Sequence, residues 1–261
     1  MIDMHSHILP NIDDGSSSNV ETINMIKEAY EVGFTTVVST SHYFLNHYEA
    51  AEEHRKELIG SIENELQQLN IPMQLCIGSE IFVTNNMVEL LKEHEASSIN
   101  GTRYVLFELP FEQEVPHLKD TIYSLLSHNY IPIIAHPERY TYVQKNPNML
   151  LEYIDLGVLF QSNFGSIIGQ YGKNAQKTIK LLLKNNFIHF LGSDAHRNNS
   201  IYTAIPKALL ALKETISDEE LEELTVINPT LVLENKEIDI RRPTKIKGGH
   251  FYEKIFWNRW N

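Results

Sequence analysis

The feature that most constrains this chain is a sevenfold alternation of short apolar, β-branched runs with apolar stripes at helical spacing. Residues 2–7 read as the first strand. Ser18 followed by Glu21 is a capping-box pattern, and Val20, Ile23, Ile26 and Tyr30 then recur at helical spacing until Gly33. Residues 34–39 predict a buried strand, and Leu58, Ile62, Leu66 and Leu69 mark a long helix stopped before Pro72. Strands follow at 73–77, 104–107, 131–135, 158–161 and 188–191. Helices are predicted around 88–95, at Leu118, Ile122, Leu125 and Leu126, near 149–155, at Ile179, Leu182 and Leu183, and at Ile205, Ala208, Leu209 and Leu212. Strands apolar along their whole length belong to parallel sheets covered on both faces. The reading is an α/β fold: a distorted (β/α)7, TIM-like barrel over about residues 1–215, within a single domain spanning 1–261. An acidic helix at 217–224 and a basic tail complete it.

What stands at the strand ends gives the alternation a chemical meaning. Strand one ends at His5 and His7, strand two at His42, strand three at Glu80 and strand four at Glu108. Strand five ends at His136 and strand seven at Asp194 and His196, while strand six offers only Ser162 and Asn163. All C-terminal strand ends of a parallel barrel meet on one rim, and Asp14 can reach that rim from the first loop. Five imidazoles and four carboxylates are too many for one tetrahedral ion and suit two or three ions with a bridging Glu. Mixed nitrogen and oxygen donors without thiolate favour manganese, iron or zinc over calcium. His47, His54, His94, His117, His128, His189 and His250 fall on helices, loops or strand interiors and read as ordinary surface or core residues. Asp13 reads as a cap or support beside Asp14. Cys76 lies inside a strand and reads as packing; with Phe82 six residues on, it lacks the arginine of a thiol-based phosphate loop.

Charge indicates what such a site would take. Three divalent ions would bring six positive charges against four carboxylates, leaving a cationic pocket for a phosphate ester. A hydroxide held between metals is the expected nucleophile. Arg139 is placed to hold the non-bridging phosphate oxygens with its fork; its plainer alternative is a rim ion pair with Glu138 or Glu112. His196, or the metals, would assist the leaving oxygen. The formal net charge of −12 argues against nucleic acid as a partner. No apolar run approaches a membrane span and residues 1–7 lack a secretory pattern. A single cysteine fits a reducing compartment, so a cytoplasmic location is expected. From Arg241 onward there are six basic residues and one acidic residue, interleaved with Phe251, Tyr252, Phe256, Trp257 and Trp260. That tail reads as a segment docked on the barrel; recruitment to a partner or membrane surface is the alternative.

The motifs HSHILPNIDDG, VVSTSH, GSE, FELP, AHPERY and GSDAH together resemble the polymerase and histidinol phosphatase (PHP) superfamily. More narrowly they resemble the bacterial manganese-dependent protein-tyrosine phosphatases of the CpsB/CapC/YwqE-like branch, found in capsular and exopolysaccharide operons. The resemblance implies a PHP-type barrel with three ions, expected as Mn2+. One would take His5, His7, Glu80 and Asp194, a second Glu80, Glu108 and His136, and a third Asp14, His42 and His196. It further implies phosphate binding by Arg139 and a phosphotyrosine substrate on a partner tyrosine kinase. Members usually carry a second arginine five residues past the last histidine. Here that position is Ile201, leaving Arg197 as the candidate substitute. Tyr140 and Tyr142 are candidate aromatic walls for the substrate. A small-molecule phosphatase such as histidinol phosphatase and a non-catalytic kinase-binding scaffold are the competing readings.

Overall fold

The computed structural model describes residues 1–247; the aromatic part of the tail, from Phe251 to the end, lies outside them. Among the described residues nine short strands, all paired in parallel, build two ladders that curl into a barrel. They are β1 (Ile2–Ser6), β2 (Thr36–Ser39), β3 (His42–Tyr43), β4 (Gln74–Ile77), β5 (Glu80–Phe82), β6 (Tyr104–Glu108), β7 (Ile131–Ala135), β8 (Leu159–Asn163) and β9 (Phe190–Gly192). One ladder runs β1-β2-β4 and the other β3-β5-β6-β7-β8-β9. The expected seven strands become nine because two are interrupted, at Thr40 and Ser41 and at Gly78 and Ser79. The ring closes where Ser6 bridges Ala195, with the Asp194 amide donating to the His5 carbonyl at 2.7 Å.

Alternation along the strands separates two apolar layers. Met4, Val38, Cys76, Leu106, Ile133, Leu159 and Phe190 fill the barrel interior, which Val232 of α11 (Asn228–Leu233) plugs from below. Val37, Leu75, Val105, Phe107, Ile134, Phe160 and Leu191 face the surrounding helices instead. Continuing the inward parity upward reaches Glu108, Gln161 and Asn163 and, across the two interruptions, His42 and Glu80, so strand parity accounts for much of the rim.

Two positions break that parity, and a third, Asp194, keeps step with inward Phe190 on left-handed backbone. After inward-facing Ile2 and Met4, strict alternation would send His5 outward. The register of β1 against β2 shifts between Asp3 and Ser6, however, and His5 and His7 turn in together. His136 follows inward Ala135 and is brought round by a left-handed backbone, φ 33°. Asp194 is also left-handed, φ 55°. Such backbone in non-glycine residues is sparsely populated and gathers at functional sites. Gly192 makes the last adjustment: a Cβ there would stand 2.6 Å from that of His5.

The helices match their stripes with shifts. In α1 (Asn19–Glu31), Ser18 Oγ accepts from the Glu21 amide as expected, but the Glu21 carboxylate turns to Ser17. Val20 and Tyr30 are exposed, and Thr22 and Met25 take the inner face beside Ile23 and Ile26. In α2 (Glu52–Gln68) the buried stripe is Arg55, Ile59, Ile62 and Leu66; Leu69 is exposed. The acidic segment forms a capped helix (Asp218–Glu222) packed beside the helix Ile201–Lys213. From there Arg241 pairs with Glu220 and Glu223, and Ile246 packs into the core beside Asn148, so the described start of the tail lies along the barrel.

Candidate metal centre

All nine expected ligands meet at the C-terminal rim. Three overlapping groups have donor atoms close enough to share an ion: His7, Asp14, His42 and His196; His5, His7 and Glu80; and His42, Glu80 and Glu108. His136 Nε2 stands 2.8 Å from Glu80 Oε1, and Asp194 Oδ1 lies 3.7 and 3.5 Å from the Nε2 atoms of His5 and His7. The grouping differs from the expected partition in leaving His136 and Asp194 beside the groups, and in two further respects. His7 also belongs with Asp14, and His42 directs Nδ1 towards Glu80 and Glu108 while Nε2 faces Asp14.

The imidazoles are oriented from behind. Gln161 spends its amide nitrogen on Ser162 O and Asn163 Oδ1, so its Oε1 must accept, and His5 Nδ1 donates to it at 2.8 Å. Asp13 is acceptor-only and takes the His7 Nδ1 proton at 2.8 Å; it also holds the amides of Gly15 and His42. His196 Nδ1 donates to the Asp194 carbonyl at 3.0 Å. Each bond leaves an Nε2 lone pair aimed into the site, the usual arrangement behind metal-binding histidines. It also leaves His196 one free nitrogen, so ligation and proton donation would compete for the same atom. Gly15 keeps the loop tight: a Cβ there would lie 2.2 Å from the His7 carbonyl.

Divalent cations fit this donor set. Glu80 Oε2 is buried and accepts no hydrogen bond, although imidazole nitrogens of His5, His7 and His42 lie 3.1, 3.3 and 3.2 Å away. His5 and His7 face each other Nε2 to Nε2 at 3.1 Å. Lone pairs converging on one another and on a carboxylate call for positive charge. The proton affinities show the same frustration. Burial raises Glu108, and its neighbour Glu80 raises it further. Burial opposes ionisation of Glu80 as well, but His5 and His42 more than offset it and hold the carboxyl well below its ordinary value. Burial pushes His42 down to about 4. For His7, burial disfavours the cation, and Asp13 reverses the sign and raises it.

Arg139 stands at the edge of the site. Nη1 donates to Asp194 Oδ2 at 2.8 Å, and the guanidinium lies between Phe111 and Tyr171, 4.6 and 4.3 Å from their ring centres. The alternative of a pair with Glu138 fails, because that carboxylate is buried and accepts from Ser162 Oγ, the Asn163 amide and Ser166 Oγ. Asn163 and Tyr171 in turn donate to Asp194 Oδ2.

Two expected substrate contacts are corrected. Tyr140 is completely buried, its hydroxyl donating to Ala135 O and accepting from the Leu109 amide, so it supports the floor and forms no wall. Phe111 and Tyr171 occupy the place foreseen for aromatic walls. Arg197 Nη1 is engaged by the carbonyls of Asp14, Gly15 and His196, which clasps the first metal loop to the last and leaves that nitrogen no phosphate to meet.

A family model described as "Capsular polysaccharide synthesis, CpsB/CapC" matches residues 1–234. This chain belongs to the CpsB/CapC family. Staphylococcus aureus CapC is 34% identical over 94% of this chain and 96% of its own length. YwqE of Bacillus subtilis, named a tyrosine-protein phosphatase, is 31% identical over 95% and 97%. A solved structure from work on B. subtilis YwqE and Streptococcus pneumoniae CpsB, described there as metal-dependent tyrosine phosphatases, superposes with TM-score 0.88 at 31% identity. It covers 95% of this chain and all (100%) of its own. A histidinol phosphate phosphatase from Lactococcus lactis shares the fold only, with TM-score 0.55 at 12% identity. The CpsB/CapC chain is thus a TIM-like α/β barrel with its candidate centre at the strand C-termini.

Proposed function

We propose that this CpsB/CapC chain is a metal-dependent phosphatase of phosphotyrosine. The carrying observation is the convergence of His5, His7 and His42 on the unbonded Glu80 oxygen, beside an arginine held between two aromatic rings. His5, His7, Asp14, His42, Glu80, Glu108, His136, Asp194 and His196 would hold the ions, with Mn2+ the metal we favour. Bound divalent ions would supply an ionised water at neutral pH and charge for the phosphate oxygens.

The remaining work falls to the chain's own groups. Arg139 binds non-bridging phosphate oxygens with its fork, whose Nη1 also donates to Asp194. Phe111 and Tyr171 keep the guanidinium flat and give the tyrosine ring an apolar border. Gln161, Asp13 and the Asp194 carbonyl fix the tautomers of His5, His7 and His196. A tyrosine side chain has a pKa of about 10, so its phenolate departs with less protonation than an alkoxide needs. That tolerance suits a site whose His196 has one nitrogen to offer. The relatives' place in capsule synthesis supports a bacterial tyrosine kinase of capsular or exopolysaccharide assembly as the substrate protein. Among the described residues no helix is long and apolar enough to cross a membrane.

The test is hydrolysis of a phosphotyrosyl peptide, histidinol phosphate and p-nitrophenyl phosphate before and after chelation and Mn2+ return. Chelator-sensitive activity, restored by Mn2+ and greatest on the peptide, is expected. Activity untouched by chelation would refute the metal reading, and a preference for histidinol phosphate would refute the substrate.

A further inference from the structure

Arg55 heads the buried stripe of α2 and is, among the described residues, the bulkiest side chain with no exposure at all. Among the described residues it has no carboxylate within ion-pair distance, and a buried cation without such a partner survives only where its nitrogens find acceptors. All three do. Nε donates to Ala50 O at 2.7 Å, and Nη2 to His42 O at 2.9 Å. Nη1 reaches Ser41 O and Gly78 O, both at 2.9 Å, and Ser79 Oγ at 2.7 Å. Ser79 Oγ also receives the Ser97 amide.

The acceptors are not scattered. Ser41 and His42 lie where β2 gives way to β3, and Gly78 and Ser79 lie where β4 gives way to β5. Those are the two interruptions of the barrel, and the residues next to them are the candidate ligands His42 and Glu80. At each interruption the regular ladder lapses for two residues, and it resumes directly beyond, with His42 paired to Glu80. We infer that Arg55 is a positioning residue for the metal centre: its guanidinium bridges both interruptions and sets where His42 and Glu80 stand. A planar fork with donors on three nitrogens reaches both breaks at once, whereas a lysine ammonium offers its donors from a single atom. The inference rests on the metal-centre reading above and extends it to a residue on the outer helix layer.

The test compares metal-free wild type, Arg55→Lys and Arg55→Met. Mn2+ stoichiometry and dissociation are measured by equilibrium dialysis, and melting temperature is followed with and without Mn2+. Supports of metal ligands typically change affinity about 10–100-fold. Arg55→Lys should therefore bind Mn2+ at least about tenfold more weakly at its weakest site, and the rise in melting temperature on adding Mn2+ should shrink. Arg55→Met should go further in the same direction. Should both variants fail to fold, Ser79→Ala carries the comparison, since it keeps the cation and removes only its side-chain acceptor beside Glu80; it too should weaken Mn2+ binding. Equal drops in melting temperature with and without Mn2+, at wild-type stoichiometry and affinity, would make Arg55 a fold staple and overturn the inference. Absence of Mn2+ binding by the wild type would instead remove the metal-centre reading itself, and the inference with it.

Discussion

Glu138 offers the sharpest quantitative test, because its surroundings are closed. The carboxylate has no exposure and accepts three hydrogen bonds, from Ser162 Oγ at 2.7 Å, the Asn163 amide at 3.0 Å and Ser166 Oγ at 2.6 Å. Hydrogen bonds to a charged group contribute about 1.5–3 kcal/mol each, and stranding buried donors forfeits most of that. Glu138→Ala should therefore cost roughly 4–6 kcal/mol, taking the lower part of the gross range because both serine hydroxyls can rotate towards other acceptors. Glu138→Gln should cost about 1–2 kcal/mol. Its remaining oxygen can serve Asn163 and Ser166, and its new amide can donate to Ser162 Oγ. The assay is urea unfolding of the metal-free protein, with the denaturant slope required to match wild type. At about 2–4 °C per kcal/mol, the alanine variant should melt roughly 10–20 °C lower. A loss below about 2 kcal/mol for alanine, or equal losses for the two variants, would show that these bonds do not hold β8 in place.

Three further outcomes follow from the site and its surroundings. Asp13→Asn weakens the acceptor behind His7 and should lower Mn2+ affinity about 10–100-fold with little change in melting of the metal-free protein, as measured by dialysis and calorimetry. Phe111→Leu removes one face of the Arg139 sandwich, worth about 0.5–2 kcal/mol, so KM for p-nitrophenyl phosphate should rise roughly threefold to thirtyfold while kcat stays within about twofold; a fall confined to kcat would contradict a binding role. His189, far from the rim, is fully buried, and its Nδ1 accepts from the Phe160 amide; burial lowers its pKa to about 4. The unfolded chain, with an ordinary histidine near 6.5, binds more protons between those values. Stability from this residue is thus present above about pH 6.5 and is lost, to roughly 3 kcal/mol, as pH falls towards 4. His189→Asn keeps an acceptor for Phe160 and should flatten that slope in urea titrations from pH 7 to 4; an unchanged slope would assign it elsewhere.

Much of the rim was legible because strand parity does the placing. From Val38, Cys76 and Leu106, steps of two lead to His42, Glu80 and Glu108, and a reader of the sequence needs no structure to follow them. His5 and His136 required a register shift and left-handed backbone, for which the sequence carries no direct mark; they were found as residue types at strand ends, whereas Asp194 is in step with Phe190. Tyr140 looked like a wall because it follows a candidate phosphate-binding arginine, yet its hydroxyl is consumed by Leu109 and Ala135. Glu138 looked like a partner for the arginine beside it, but the turn after β7 sends its carboxylate to β8. Strand six seemed to contribute nothing because Gln161 and Asn163 are not common ligands; they serve by holding His5 and Asp194. In α2 two phases of apolar residues compete, and the true one contains Arg55, a charged residue on an apolar stripe. That mismatch was the available signal.

The closing seam of the barrel has a consequence for the order of events during synthesis. His5 and His7 precede by nearly the whole barrel part of what fixes them. Ser193 donates to Asp3 across 190 residues, and Asp194 and Ala195 supply the bridge that completes the ring. A growing chain therefore has Asp13 for His7 early, but lacks the seam around His5 until residues 193–195 are made. The full donor set comes into being only when β9 docks, so ion selection belongs to the finished barrel.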